Sequence, residues 1–155
     1  MIRSPSDFIE ISFEPEKEVW NLYELGDGSM LRLRTLLLKL FRLVPQPGQP
    51  SQLAQYSSSF TNVQNVRNVP AKLKGPPGAT AIDMNELVKS PKVELQFTPL
   101  SEDWNLYRLE DGDKIKVKLV MTTVYRAKDR WDQFGDPAYL TQSQNVIQPV
   151  QRLET

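Results

Sequence analysis

The chain has 155 residues, and its 19 Lys and Arg side chains are balanced by 19 Asp and Glu, so its formal net charge is zero. A neutral chain has no overall field to draw it toward nucleic acid or an anionic membrane. It contains no Cys and no His, which excludes disulfides, Cys nucleophiles, Ser–His relays and the usual zinc, copper, haem and iron–sulfur sites. We therefore expect a protein that is not an enzyme and has no cofactor and no metal.

The N-terminus and the apolar runs bear on location. The opening stretch, MIRSPSDFIE, is polar and lacks the apolar core of a signal peptide. The longest apolar run, LLLKLF at 36–41, is far shorter than the ~20 residues of a membrane helix. We expect a soluble, cytoplasmic protein with no membrane partner.

One stretch of sequence occurs twice. WNLYELGDGSMLRLR at 20–34 is followed 84 positions later by WNLYRLEDGDKIKVK at 104–118. The match is collinear and extends beyond this stretch, because Phe13 matches Phe97 and Arg42 matches Arg126 at the same offset. This pattern predicts an internal duplication. Its parts are repeat unit 1 (1–69), a Pro/Gly-rich linker (70–91) and repeat unit 2 (92–155), with both units in one compact domain.

Four strands are predicted in each unit, in the same order. In unit 1 they are IEISFEP (9–15), WNLYEL (20–25), RTLLLKLFRLV (34–44) with the residues just before it, and the polar SSSFTNVQNV (57–66). In unit 2 they are VELQFTP (93–99), WNLYRL (104–109), KIKVKLVMTTVYR (114–126) and YLTQSQNVIQPV (139–150). The chain is thus predicted to be all-β and mainly antiparallel. Two tandem units of about 60 residues would form a pseudo-twofold barrel or sandwich with little helix.

The third strand of unit 1 is ambiguous when read alone. Its Leu and Lys residues favour a helix, whereas its counterpart at 114–126 alternates and is rich in Val, Thr and Tyr, which is typical of a strand. Two copies of one unit should share a fold, so both stretches are predicted to be strands. In the linker, IDMNELVK at 82–89 is predicted to form one or two helical turns with Asp83 as the cap.

An Asp-Gly step precedes each long strand, at 27–28 and 111–112. This step predicts a type I′ hairpin turn, in which both central residues have positive φ. The second copy, EDGD at 110–113, has enough carboxylates to attract calcium. However, it lacks the spaced ligands of a calcium loop, so a turn is the preferred interpretation.

The long strands predict an interface. Their even-numbered face is basic at the ends and apolar in the middle, and an apolar strip of that kind rarely stays free in a monomer. The interface candidates are Leu36, Leu38, Leu40, Val120 and Val124. The preferred interpretation of the strand itself is that it bends and its middle is buried on both faces, and the two interpretations can coexist.

Two other groups of residues are binding candidates. The ligand candidates for stacking on a sugar or a base are Trp20, Trp104, Asn21, Asn105, Tyr23 and Tyr107, although a repeated Trp is more often a core anchor. The basic-patch candidates for contact with phosphates are Arg32, Arg34, Lys116 and Lys118, whose alternative role is to keep sheet edges from aggregating.

These observations favour a non-enzymatic binding or assembly protein that forms a homo-oligomer through its long strands. The first alternative is a barrel that binds a small ligand such as a sugar or nucleotide, and nucleic-acid binding is the third.

Overall fold

The computed structural model describes residues 7–44, 56–78 and 83–150. Within these ranges the protein is all-β with antiparallel pairing, as predicted, and has one α-helix. The ten strands are β1 (Phe8–Glu10), β2 (Phe13–Lys17), β3 (Asn21–Leu25), β4 (Met30–Leu43), β5 (Tyr56–Arg67), β6 (Lys92–Leu95), β7 (Phe97–Ser101), β8 (Asn105–Leu109), β9 (Lys114–Trp131) and β10 (Pro137–Pro149). The helix, α1 (Met84–Lys89), begins at Asp83, whose carboxylate accepts a hydrogen bond from the Asn85 N–H. The predicted helix and its cap are therefore confirmed.

The strands form two five-stranded sheets of matching design. In the first sheet, β5 pairs along one edge of β4, while β3 and β1 share the other edge and β7 pairs with β3. In the second sheet, β10 pairs along β9, β8 and β6 share its other edge, and β2 pairs with β8. Hydrogen bonding among the described residues thus gives two separate sheets, as in a sandwich, and not one closed barrel.

Each predicted first strand is divided in two. The stretch 9–15 contributes to β1 and β2, and the stretch 93–99 contributes to β6 and β7. The division arises because the two pieces belong to different sheets: β1 pairs with β4, whereas β2 pairs with β8. The described residues thus form ten strands in place of the eight predicted.

The two sheets exchange one strand each. β2 lies early in the chain but pairs in the second sheet, and β7 lies late in the chain but pairs in the first. Edge-to-face aromatic contacts accompany both exchanges, Phe13 with Tyr107 at 5.6 Å and Tyr23 with Phe97 at 5.8 Å between ring centres. Neither sheet is built from one continuous part of the chain.

The long strands β4 and β9 are confirmed as strands, and both carry a register shift near the middle. In β4 the shift lies between Leu37 and Lys39, and in β9 it lies opposite Gln142 and Ser143. Such a bulge adds a residue to one strand and reverses which side chains face inward beyond it. In β4, Leu33 and Leu37 are buried before the shift, and Leu40 is buried after it.

Two hydrophobic clusters fill the space between the sheets. One joins Tyr23 and Leu31 of the first sheet to Leu119 and Met121 of the second, and the other joins Leu37 and Leu40 to Ile115 and Val117. Each cluster thus receives side chains from both sheets. The inner face of each sheet is therefore packed against the other sheet, and each sheet has one outer face.

The turns before β4 and β9 are Asp-Gly turns as predicted, but their type differs. Gly28 and Gly112 have φ of 94° and 90°, whereas Asp27 and Asp111 do not have positive φ. The N–H groups of Gly28 and Gly112 donate to Leu25 and Leu109. One positive φ at the last loop residue indicates a type I turn closed by a glycine bulge, so the predicted type I′ turn is wrong.

The Pro/Gly-rich stretch packs on the β9–β10 hairpin. The indole N–H of Trp131 donates to the Leu73 carbonyl at 3.1 Å, and the Gly75 N–H donates to the Gly135 carbonyl at 3.0 Å. A Cβ atom on Gly75 would lie 2.2 Å from the Trp131 ring, so glycine is required there for the close approach.

Candidate interaction surfaces

The buried Asn residues of the repeated WNLY stretch connect the two sheets. β5 covers one edge of β4 along its length, but β3 and β1 leave the middle of the other edge without a strand. The Asn105 amide donates to the Thr35 carbonyl in this gap at 3.2 Å, and its oxygen accepts from the Val19 N–H at 2.9 Å. Asn21 does the same in the other sheet, donating to the Leu119 carbonyl at 2.8 Å.

The Tyr residues of the same stretch are also interior. Tyr23 and Tyr107 are fully buried, and their hydroxyls donate to Glu102 at 2.6 Å and to Glu18 at 2.8 Å. Burial, together with the hydrogen bond and the charge of the nearby glutamate, raises the pKa of both hydroxyls well above the ordinary value. The structure therefore places four predicted ligand residues, Asn21, Asn105, Tyr23 and Tyr107, inside the fold, where the amides bond to backbone groups and the hydroxyls bond to glutamates.

The two Trp residues remain at the surface and meet the predicted basic patch. The guanidinium carbon of Arg32 lies 4.3 Å from the centre of the Trp20 ring, and that of Arg34 lies 5.8 Å away. In the second sheet, the Nζ atoms of Lys116 and Lys118 lie 4.5 and 5.6 Å from the Trp104 ring. All six side chains are half-buried. Each outer face thus carries one Trp packed against two cations.

The five interface candidates do not share a face. Leu40 and Val124 are completely buried in the two clusters, because the register shifts turn them inward. Leu36 and Val120 are half-buried on the outer faces, and Leu38 is 54% exposed at the bulge. The prediction of one continuous strip is therefore wrong for Leu40 and Val124.

Beyond the bulge, the outer face of the first sheet carries several apolar side chains beside the exposed Glu10, which pairs with Phe41. Phe41 and Leu43 alternate with the inward Leu40, and Phe8 pairs with Leu43 across the ladder. The neighbouring β5 residues on this face are small: Ser57 pairs with Phe41, and Thr61 pairs with Leu36. We call the set Phe8, Leu36, Leu38, Phe41 and Leu43 the apolar outer face.

The corresponding part of the second sheet is covered. Ala127 lies 84 positions after Leu43 and is buried with Ala138 beneath Leu87 of α1. The Lys92 ammonium donates to the Val88 carbonyl at 2.6 Å and lies 5.7 Å from the Tyr125 ring. The bulge position there is Thr122, whose hydroxyl donates to the Gln142 carbonyl. One outer face is therefore protected by α1 and polar groups, and the other is not.

Two ion pairs that the sequence did not reveal as contacts link the turns to the long strands, one with a buried carboxylate at Asp27 and one that is partly exposed at Asp111. Arg126 donates to Asp27 at 3.1 Å, and Arg42 donates to Asp111. The Tyr139 hydroxyl donates to Asp27 at 2.8 Å. Asp27 and Arg42 lie 84 positions before Asp111 and Arg126, respectively. The recurrence of both residue types at this offset was the available sequence signal.

Electrostatics distinguish the Asp27 cluster from a solvent-exposed ion pair. The Asp27 side chain is only 4% exposed. Burial alone would raise its pKa, but hydrogen bonds from Ser29, Tyr139 and Arg126 outweigh burial and hold the pKa below its ordinary value. A cleft of about 260 Å³ lies beside Asp27 and Arg126, lined also by Gly26, Lys72, Leu73 and Leu95. The arginine and carboxylate neutralise each other, so Lys72 is the remaining charged side chain of the cleft lining.

No protein-family model matches the chain, and no curated protein and no solved structure is significantly similar to it. In the described ranges, no group of three or more acidic side chains is arranged to hold a metal ion. In those same ranges, no helix has the length and apolar character needed to cross a membrane.

Proposed function

We propose that the protein is a non-enzymatic assembly protein that self-associates through the apolar outer face of its first sheet. The observation that carries the proposal is Leu38, which is 54% exposed at the bulge of β4 and is flanked by half-buried Leu36 and Phe41. Adjoining apolar side chains that are exposed to water mark interaction surfaces on proteins.

The contrast between the two sheets supports this choice. The same face of the second sheet has Thr122 at the bulge and α1 over Ala127. A face without a function would tolerate the same polar residue at both bulges. Leu38 is therefore the better candidate for contact with another surface, and Thr122 supplies an internal control.

The test is the mass of the protein in solution by light scattering over a range of concentrations. We expect an oligomer for the wild type and folded monomers for Leu38→Glu, because a charge in an apolar interface costs desolvation energy. Thr122→Glu, the matched change at the other bulge, should leave the oligomer intact. A wild type that stays monomeric at high concentration would refute the proposal.

We also infer that an internal duplication produced this chain. Contacts that recur at positions 84 apart support the inference: Tyr23 with Glu102 and Tyr107 with Glu18, and Asn21 with Leu119 and Asn105 with Thr35. A duplication gives two similar outer faces at first. Self-association then requires only one of them to remain uncovered.

A second candidate function is binding of single-stranded nucleic acid, favoured by the packing of cations on Trp20 and Trp104. Aromatic rings beside cations bind unpaired bases and phosphates together. We expect salt-sensitive binding of a fluorescent oligonucleotide that is lost in the double variant Arg32→Ala with Lys116→Ala. The control is Arg67→Ala, an arginine that bonds to exposed Asn65. Unchanged binding in the double variant would eliminate this candidate.

A small sugar or nucleotide ligand, the earlier alternative, retains only the two Trp residues as accessible contacts. Titration of sugars and nucleotides, followed by tryptophan fluorescence, tests it directly. A flat response across the panel would remove it.

A further inference from the structure

We propose that β5 pairs edge to edge with β5 of a second copy of this chain, so that two first sheets join into one continuous sheet. The inference rests on the proposed self-association and specifies how the copies are arranged. Three features carry it: the unprotected edge of β5, the backbone groups that this edge presents, and the absence of charge along the strand.

Among the described residues, β5 is the one long strand at the border of a sheet that has no proline. Prolines lie in the border strands β2 and β7, at Pro15 and Pro99, and at both ends of β10, at Pro137 and Pro149. The remaining border strands, β1 and β6, have three and four residues. Short strands and prolines keep sheet edges from pairing with other chains. β5 has 12 residues and neither form of protection, and Val66 lies 83 positions before Pro149.

The pairing of β5 with β4 determines which backbone groups of β5 point outward. The Leu25 N–H donates to the Ser29 carbonyl at the turn between β3 and β4, and this bond sets the alternation of bonded pairs along β4. The backbone of Leu36 accordingly points toward β5, and that of its partner Thr61 points toward β4. The N–H and C=O of the next residue, Asn62, therefore point away from β4. Asn62 is exposed, and β5 pairs with no described strand other than β4.

The composition of β5 suits pairing with an identical strand. The stretch from Tyr56 to Val66 contains no charged residue, and Arg67 ends the strand. In an antiparallel pair of identical strands, a charge near the middle lies opposite the same charge of the partner, and facing like charges weaken the pair. Two β5 strands that pair about a residue near Asn62 form no such like-charge pair.

Edge pairing of this kind enlarges the apolar outer face. A twofold axis perpendicular to the sheet keeps each outer face on its own side, so the apolar outer faces of the two copies lie side by side. Between them lie the small outer residues of both β5 strands, Ser57, Ser59 and Thr61. Two such pairs that stack through their joined apolar faces bury both faces, and the assembly closes at four copies with perpendicular twofold axes.

The experiment compares three changes at Asn62 in the full chain, with the mass measured by light scattering and folding by circular dichroism. Asn62→Pro removes the N–H that points away from β4, whereas Asn62→Ala keeps this N–H and is the matched control. Asn62→Lys adds a charge at the edge. Its side chain points away from the apolar outer face, because residue 62 alternates with Thr61 along the strand. If Asn62→Pro fails to fold, Asn62→Lys decides the matter.

We expect four copies for the wild type and for Asn62→Ala. Asn62→Pro and Asn62→Lys should halve this mass, leaving pairs that are held by the apolar outer faces alone. Leu38→Glu should still give monomers, because backbone hydrogen bonds at the edge replace bonds to water and hold two copies only weakly. Gln144→Lys, which adds a lysine at an exposed position of β10, should keep four copies.

Other outcomes separate this inference from the proposed function. If Leu38→Glu dissociates the oligomer while Asn62→Pro and Asn62→Lys keep the wild-type mass, self-association through the apolar outer face stands and the pairing of two β5 strands is refuted. A wild type of only two copies would also overturn the edge pairing, as would an Asn62→Ala variant that loses mass as Asn62→Pro does. A monomeric wild type would overturn both proposals.

Discussion

At the scale of single residues, polar side chains in this fold form hydrogen bonds with backbone groups that have no neighbouring strand. The middle of one edge of β4 has no neighbouring strand, and Asn105 from the other sheet satisfies its Thr35 carbonyl. The WNLY stretch revealed that Asn21 and Asn105 were special, since they recur. It did not reveal their partners, because those partners lie 98 and 70 residues away in sequence.

Replacing Asn105 by Ala should therefore destabilise the protein by about 1–3 kcal/mol, the cost of leaving buried polar groups unpaired. Both the Thr35 carbonyl and the Val19 N–H lose their partner. Urea unfolding measures the effect. The control is Asn65→Ala, since Asn65 makes an exposed contact with Arg67, and an equal loss in both variants would contradict a role for burial.

Asp27 should make the free energy of unfolding depend on pH in the acidic range. Its folded pKa is lower than the ordinary 3.8, so its stabilisation is present above that value and is lost as the pH falls through the lower folded value. We expect Asp27→Asn to be less stable at neutral pH by about 1–3 kcal/mol, and to lose less further stability in acid than the wild type.

The control for this pH series is Asp103→Asn. The pKa of Asp103 is also lowered, by Lys17 and the Trp104 N–H. However, the side chains of Lys17 and Asp103 are each about half exposed, and exposed ion pairs contribute little to stability. Thermal unfolding recorded between about pH 2 and 7 compares the variants. Identical pH profiles for wild type and Asp27→Asn would rule out the Asp27 cluster as the source.

At the scale of elements, alternation predicted the strands well and their faces less well. The apolar and polar alternation of 114–126, transferred to 34–44, identified both long strands correctly. The bulges were not predictable, because an extra residue in one strand is defined only against the register of its neighbour. Leu40 and Val124 were therefore assigned to the wrong face, although Leu36 and Val120, before the shifts, were not.

The bulge makes a specific prediction about two leucines that are two positions apart. Leu40→Ala should cost about 2–5 kcal/mol, as is typical for a buried leucine, whereas Leu38→Ala should cost well under 1 kcal/mol in dilute protein. Without the bulge both would lie on one face and behave alike. Denaturant unfolding at low concentration, where association does not contribute, distinguishes the two cases, and equal losses would contradict the register shift.

At the scale of the whole molecule, the exchange of β2 and β7 was beyond the reach of sequence patterns. Local periodicity identifies a strand but carries no information about which distant strand it pairs with. The repeat predicted two units side by side, whereas β2 lies in the second sheet and β7 in the first. Neither half of the chain therefore holds a complete sheet or a complete hydrophobic cluster.

This exchange predicts how the chain responds to being divided. Residues 1–78 alone lack β7 and every second-sheet residue of both clusters, and residues 79–155 alone lack β2 and every first-sheet residue of them. Each fragment should thus be largely unfolded by circular dichroism, because the exposed apolar surface outweighs the remaining strand pairing. An equimolar mixture should recover the β signal and one cooperative transition. The matched control is the intact chain at the same concentration. If either fragment alone unfolds with a sharp transition, that half forms its own domain and the exchanged strands only join two finished structures.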